Sequence, residues 1–68
     1  MKIIAHTPYG VFEGKEITEE QDEVEQLLSN IHKLSYFCFY LPDNSMVYFT
    51  KGMIDETLFI LKSEFESD

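Results

Sequence analysis

Ser35-Tyr36-Phe37-Cys38-Phe39-Tyr40-Leu41-Pro42-Asp43-Asn44-Ser45-Met46-Val47-Tyr48-Phe49-Thr50 is the stretch whose reading decides the fold. Aromatic and β-favouring residues fill both ends, and four turn formers stand between them. The segment reads as a hairpin, with strands over residues 35–41 and 46–50 and a turn over 42–45. Side chains alternate across a strand, so Phe37, Phe39 and Leu41 share one face and Tyr36, Cys38 and Tyr40 the other. Val47 and Phe49 join the first face on the return strand, and Met46 and Tyr48 join the second. Both faces are apolar.

The element available to cover one of them comes just before. Val24, Leu27, Leu28, Ile31 and Leu34 recur at helical spacing and form one apolar stripe. Thr18 stands three residues ahead of Gln21 in the pattern of a capping box, with Ile17 as a hydrophobic staple. A helix is predicted from Glu19 to His32 or Lys33. Its opening carries Glu19, Glu20, Asp22, Glu23 and Glu25 with no basic residue among them, at the end where the macrodipole favours negative charge.

Upstream, residues 2–7 and 11–13 read as a hairpin around Thr7-Pro8-Tyr9-Gly10, ended by Gly14-Lys15. Pro8 presets φ for a type I turn there, and Gly10 supplies a positive φ. Downstream, Lys51-Gly52 breaks the fourth strand and residues 53–56 make one helical turn. Thr57-Leu58-Phe59-Ile60-Leu61-Lys62 reads as a last strand, because Thr, Phe and Ile favour strands and no polar residue recurs at helical spacing. A helix from Ile54 to Phe65 is the competing reading, and residues 63–68 are expected to be a frayed acidic tail. The whole predicts a single α+β domain over residues 1–68, in the order β-β-α-β-β-β. Its mainly antiparallel sheet carries one amphipathic helix on one face.

One helix leaves the other sheet face bare. Tyr36, Cys38, Tyr40, Met46 and Tyr48 are therefore the expected oligomer interface, since tyrosine buries ring area while keeping its hydroxyl satisfied at a rim. The alternative is that the C-terminal segment folds over this face and makes it core; Phe59 and Leu61 belong to one face or the other. Self-association as a dimer or ring also fits the size, since 68 residues bury only about 60% of their unfolded surface.

Charge and composition narrow the function. At 44% apolar the chain is too hydrophobic for an acidic disordered segment. A net charge of −8, five lysines and no arginine exclude direct nucleic-acid binding by counterion release and disfavour anionic membranes. No apolar run reaches the roughly 18 residues of a membrane span, and residues 1–8 lack a signal-peptide core. The lone Cys38 points to a reducing compartment, so a complete, soluble, cytoplasmic protein is expected. Cys38 lies mid-strand without an adjacent base, and His6 and His32 match no ligand spacing. There is no Gly-rich phosphate loop and no calcium-loop pattern. No catalytic residue, metal or cofactor is assigned, and an enzyme is not expected.

Lys2-Ile3-Ile4-Ala5-His6-Thr7-Pro8-Tyr9-Gly10-Val11-Phe12-Glu13-Gly14, followed by the acidic helix and aromatic strand, resembles short acidic proteins encoded by phages and prophages of Gram-positive bacteria. The resemblance implies an intracellular phage product that binds and inhibits a host protein. Phage inhibitors that mimic DNA are small, acidic, often dimeric α+β proteins, among them inhibitors of uracil-DNA glycosylase. No motif of that inhibitor family is present, so no residue role carries over. The expected function is a non-enzymatic binding protein whose Glu19, Glu20, Asp22, Glu23 and Glu25 face a basic site on a nucleic-acid-binding protein. The alternative is a structural module whose role is homo-oligomerisation through the aromatic face.

Overall fold

A computed structural model of the chain describes residues 1–62. Along the sequence run strands β1 (Lys2–Thr7) and β2 (Gly10–Glu13), helix α1 (Gln21–Ser29) and a 3-10 turn (Ile31–Lys33). Strands β3 (Tyr36–Tyr40) and β4 (Met46–Thr50), the short helix α2 (Lys51–Asp55) and strand β5 (Leu58–Lys62) follow. The class is α+β with antiparallel pairings, but the expected single sheet is replaced by two: β2-β1-β5 and β3-β4. The helical turn expected over residues 53–56 is present as α2, which starts earlier, at Lys51, and adds a second helix to the β-β-α-β-β-β order.

Local chemistry accounts for most boundaries. In the first hairpin the Thr7 hydroxyl accepts from the Tyr9 N–H (3.0 Å) and donates to the Gly10 carbonyl (2.9 Å), and Gly10 takes a φ of +143°. In the second, the Leu41 N–H donates to the Ser45 carbonyl (2.7 Å) and Asn44 adopts a left-handed φ of 73°. The Asp43 carboxylate accepts from both the hydroxyl and the N–H of Ser45, an Asx turn. These bonds, the hydroxyl's first, hold the Asp43 carboxyl below its ordinary value.

The helix is shorter than its apolar stripe predicts. Glu20 is the N-cap and makes no side-chain cap bond, so the Thr18–Gln21 capping box does not form. The cause lies upstream: the Ile17 N–H donates to the Met1 carbonyl (2.8 Å), holding this segment extended beside β1. At the other end the Asn30 side chain donates to the Gln26 carbonyl (3.0 Å) and closes α1 early. The 3-10 turn then carries Ile31 into the core.

After β4, the Thr50 hydroxyl accepts from the Met53 N–H (3.4 Å) and caps α2. The buried Thr57 hydroxyl donates to the Met53 carbonyl (2.6 Å), and the chain leaves α2 as a strand rather than as a continuing helix. Lys51 Nζ donates to the His32 carbonyl (2.9 Å), tying α2 to the 3-10 turn. The expected acidic tail lies outside the described residues.

The inner faces of the two sheets meet. Phe59 of β5 packs edge-on against Phe37 and Phe49, with ring centroids 5.6 and 5.3 Å away, and Phe39 joins Phe37 and Phe49. Ala5 is fully buried at the centre of the three-stranded sheet, in register with Phe12 on one side and Phe59 on the other. Val24, Ile31 and Ile54 complete the core from the helical segments. The inner face of β3-β4 is therefore covered by β5 as well as by the helical stripe, because β5 pairs with β1 and not with the second hairpin. Phe59 and Leu61 belong to this core, not to the tyrosine face. Among the described residues no helix is long and apolar enough to cross a membrane.

Phe49, 1% exposed, sits at the junction of the two sheets. Phe49→Ala should cost about 3–5 kcal/mol, a large share of the roughly 3–10 kcal/mol expected for a chain of this size. Urea denaturation should find the variant largely unfolded, with Phe49→Leu intermediate. Asp43 makes a separate pH-dependent contribution. Its folded-state value is depressed, so its stabilisation is present above about pH 4 and is lost as pH falls through the folded value. The Tm deficit of Asp43→Ala, read by circular dichroism, should be largest near neutral pH and shrink towards pH 2.

Candidate functional site

With Phe37, Phe39, Val47 and Phe49 turned into the core, the opposite residues of the second hairpin face solvent. Tyr36, Tyr40, Met46 and Tyr48 are 59%, 56%, 50% and 57% exposed. The register sets Tyr40 opposite Met46 and Cys38 opposite Tyr48. Tyr36 stacks on Tyr48 across the strands, with centroids 5.9 Å apart and planes 20° from parallel. Cys38 lies half-buried between its tyrosine neighbours as a free thiol. All five sequence-selected residues thus share one face, and four of them are open. An apolar surface of this kind, rimmed by hydroxyls, suits contact with another protein.

The acidic residues gather on the neighbouring helix. Glu19 and Glu20 precede α1, and Asp22, Glu23 and Glu25 lie in its first turns, all exposed. Glu25 accepts from Gln21 Nε2 (2.9 Å), and none of the five forms an ion pair among the described residues. Their charges are uncompensated locally, so the field at this end is strongly negative.

Between these two surfaces runs a cleft of about 630 Å³. Glu19, Glu23 and Leu27 line it from the helix side, and Cys38 and Tyr40 from the strand side. Gly14 and Lys15 also line it, two consecutive residues that bond to different sheets. The Gly14 N–H donates to the Ile3 carbonyl (2.8 Å), and the Lys15 N–H donates to the Tyr40 carbonyl (2.8 Å). A Cβ at Gly14 would meet the Ile3 carbonyl oxygen at 3.0 Å and the Phe39 ring at 3.2 Å, so glycine lets the two sheets close here without either neighbour giving way. Lys15 Nζ also donates to Asn44 Oδ1 (2.7 Å), fixing this corner to the second hairpin.

The cleft and the corner were hidden from sequence reasoning, which took Gly14 as the end of a hairpin. Only a close approach between non-local strands gives that glycine its role. A second open apolar surface was missed as well: Val11, Leu58 and Ile60 face solvent around His6 on the outer side of β2-β1-β5. The alternation of β5 placed Leu58 and Ile60 together, but its pairing with β1 could not be read locally.

The groups capable of catalysis or ligation are scattered. His6 is exposed on β1, and His32 Nδ1 lies 3.5 Å from Asp55 Oδ1 at the surface. Among the described residues no three His, Cys, Asp or Glu side chains converge on a point that would hold a metal ion. No family model matches this chain, and no curated protein or solved structure was found to be similar to it.

Proposed function

We propose that this is a non-enzymatic binding protein, which docks on a basic surface of another protein through the acidic start of α1 and the adjoining tyrosine face. The observation that carries this reading is the juxtaposition just described. Five exposed carboxylates without basic partners among the described residues gather at the start of α1. Two of them, Glu19 and Glu23, line a cleft whose other wall includes Cys38 and Tyr40 of a sheet face with large side chains half or more exposed. Uncompensated charge steers and selects a partner of opposite sign, while aromatic area supplies most of the contact energy. A nucleic-acid-binding protein, whose working surface is basic, is the fitting class of target.

The Tyr36–Tyr48 stack favours a second reading, in which the same face joins copies of this chain. Stacked, pre-ordered rings lose little side-chain freedom when covered. The two readings separate by mutation. Glu19→Lys, Asp22→Lys, Glu23→Lys and Glu25→Lys together should weaken capture of a basic protein from nuclease-treated lysate at least about tenfold. Moderate salt should release the partner from the native chain. Equal capture by both forms would count against the acidic surface. For self-association, Tyr36→Ser with Tyr40→Ser should reduce the mass measured by light scattering, and an unchanged mass would remove the tyrosine face as the contact between copies.

A further inference from the structure

Among the described residues, no strand pairs with the edge of β3 inside the cleft. In an antiparallel pair, alternate residues turn their N–H and C=O groups towards the partner strand. The Leu41 N–H bonds to Ser45, so Leu41, Phe39 and Phe37 are the residues bonded to β4. Tyr36, Cys38 and Tyr40 then direct their backbone groups the other way. The bond from Lys15 N–H to the Tyr40 carbonyl lies on that outer side. Lys15 occupies only the end of the edge, and the N–H and C=O of Cys38 and of Tyr36 have no backbone partner among the described residues. Cys38 lines the cleft, together with apolar Leu27 and the carboxylates of Glu19 and Glu23, and Tyr36 continues the same strand edge beyond it.

We infer that the cleft takes an extended segment of a partner protein, added as a strand along the free edge of β3, with lysine or arginine side chains among its apolar ones. This rests on the reading of a basic protein partner and says where that partner's backbone sits. An unpaired strand edge binds main chain without regard to sequence, and flanking pockets then select the side chains. Here the selection comes from the cleft walls. Apolar side chains of the added strand cover Leu27, and cationic ones reach Glu19 and Glu23 at the rim. A lysine or arginine passing the open ring of Tyr40 gains a cation–π contact as well. Charge argues against a second copy of this chain as the occupant, since each copy carries a net −8.

The test uses the full-length chain labelled with nitrogen-15 and a synthetic probe, acetyl-Lys-Val-Lys-Val-Lys-Val-amide. Two further versions carry N-methyl groups on all valines or on all lysines. Residues of an added strand alternate in the edge they bond, so only one methylated version should lose binding. The expected loss is about thirtyfold, equivalent to two main-chain hydrogen bonds, and the other version should bind within about twofold of the parent. The amide protons of Cys38 and Tyr36 should exchange more slowly with the parent peptide bound. Glu19→Gln with Glu23→Gln should weaken it about fivefold, the scale of rim ion pairs.

Equal binding by both methylated versions, with Cys38 exchange unaltered, would overturn strand addition while leaving the basic-partner reading intact. So would failure of the parent peptide to bind a chain that still captures a basic protein. Slowing of Cys38 exchange by increasing concentration of the protein alone would assign the edge to a second copy and also overturn the inference.

Discussion

The contact of Phe59 with Phe37 and Phe49 is the interaction on which the rest of the structure depends. Each sheet alone is too small to stand: a two-stranded hairpin is marginal in water, and three short strands need a covered face. The edge-to-face rings join β5 to the second hairpin and make one core of two half-cores. Ala5 belongs to the same constraint, because a larger side chain between Phe12 and Phe59 would lift the two rings apart. Gly14 is its counterpart at the corner, where the chain crosses from one sheet to the other under the Phe39 ring.

A core built this way uses up the covering elements. The inner faces of the two sheets cover each other, and α1 and α2 fill the remaining sides of the same core. Nothing among the described residues is left to lie over the outer faces. The tyrosines of β3 and β4 and the aliphatic residues of β2 and β5 are exposed for that reason. The surface is thus a consequence of size, since a 68-residue chain lacks the material to bury every apolar side chain it carries. The acidic start of α1 offsets part of this liability, because strong net charge keeps such a surface from indiscriminate association.

The parts of the site were differently legible. Period-two alternation in residues 36–40 separated the core phenylalanines from the exposed tyrosines, and the exposures follow that division. The acidic block was readable as a solvent face, because it lies off the Val24, Leu28 and Ile31 stripe that the core takes up. The cleft between the two was not readable. It exists because Lys15 bonds to Tyr40, a pairing across 25 residues with no sequence signal. The start of α1 was misread for the same kind of reason. A capping box is a local preference worth about 1 kcal/mol, and the bond from Ile17 to Met1 that holds the preceding segment extended is non-local.

The sequence by itself determined the hairpins, the turn residues, the inward and outward sides of β3 and β4 and the sign of the surface charge, because these follow from neighbours a few positions apart. Tertiary structure alone decided that there are two sheets, that β5 joins β1, where α1 begins and that, among the described residues, no strand pairs with the outer edge of β3 beside the cleft. Backbone hydrogen-bonding groups are alike at every position. The choice of strand partners is therefore made by which arrangement buries the phenylalanines together, and that is a property of the whole chain.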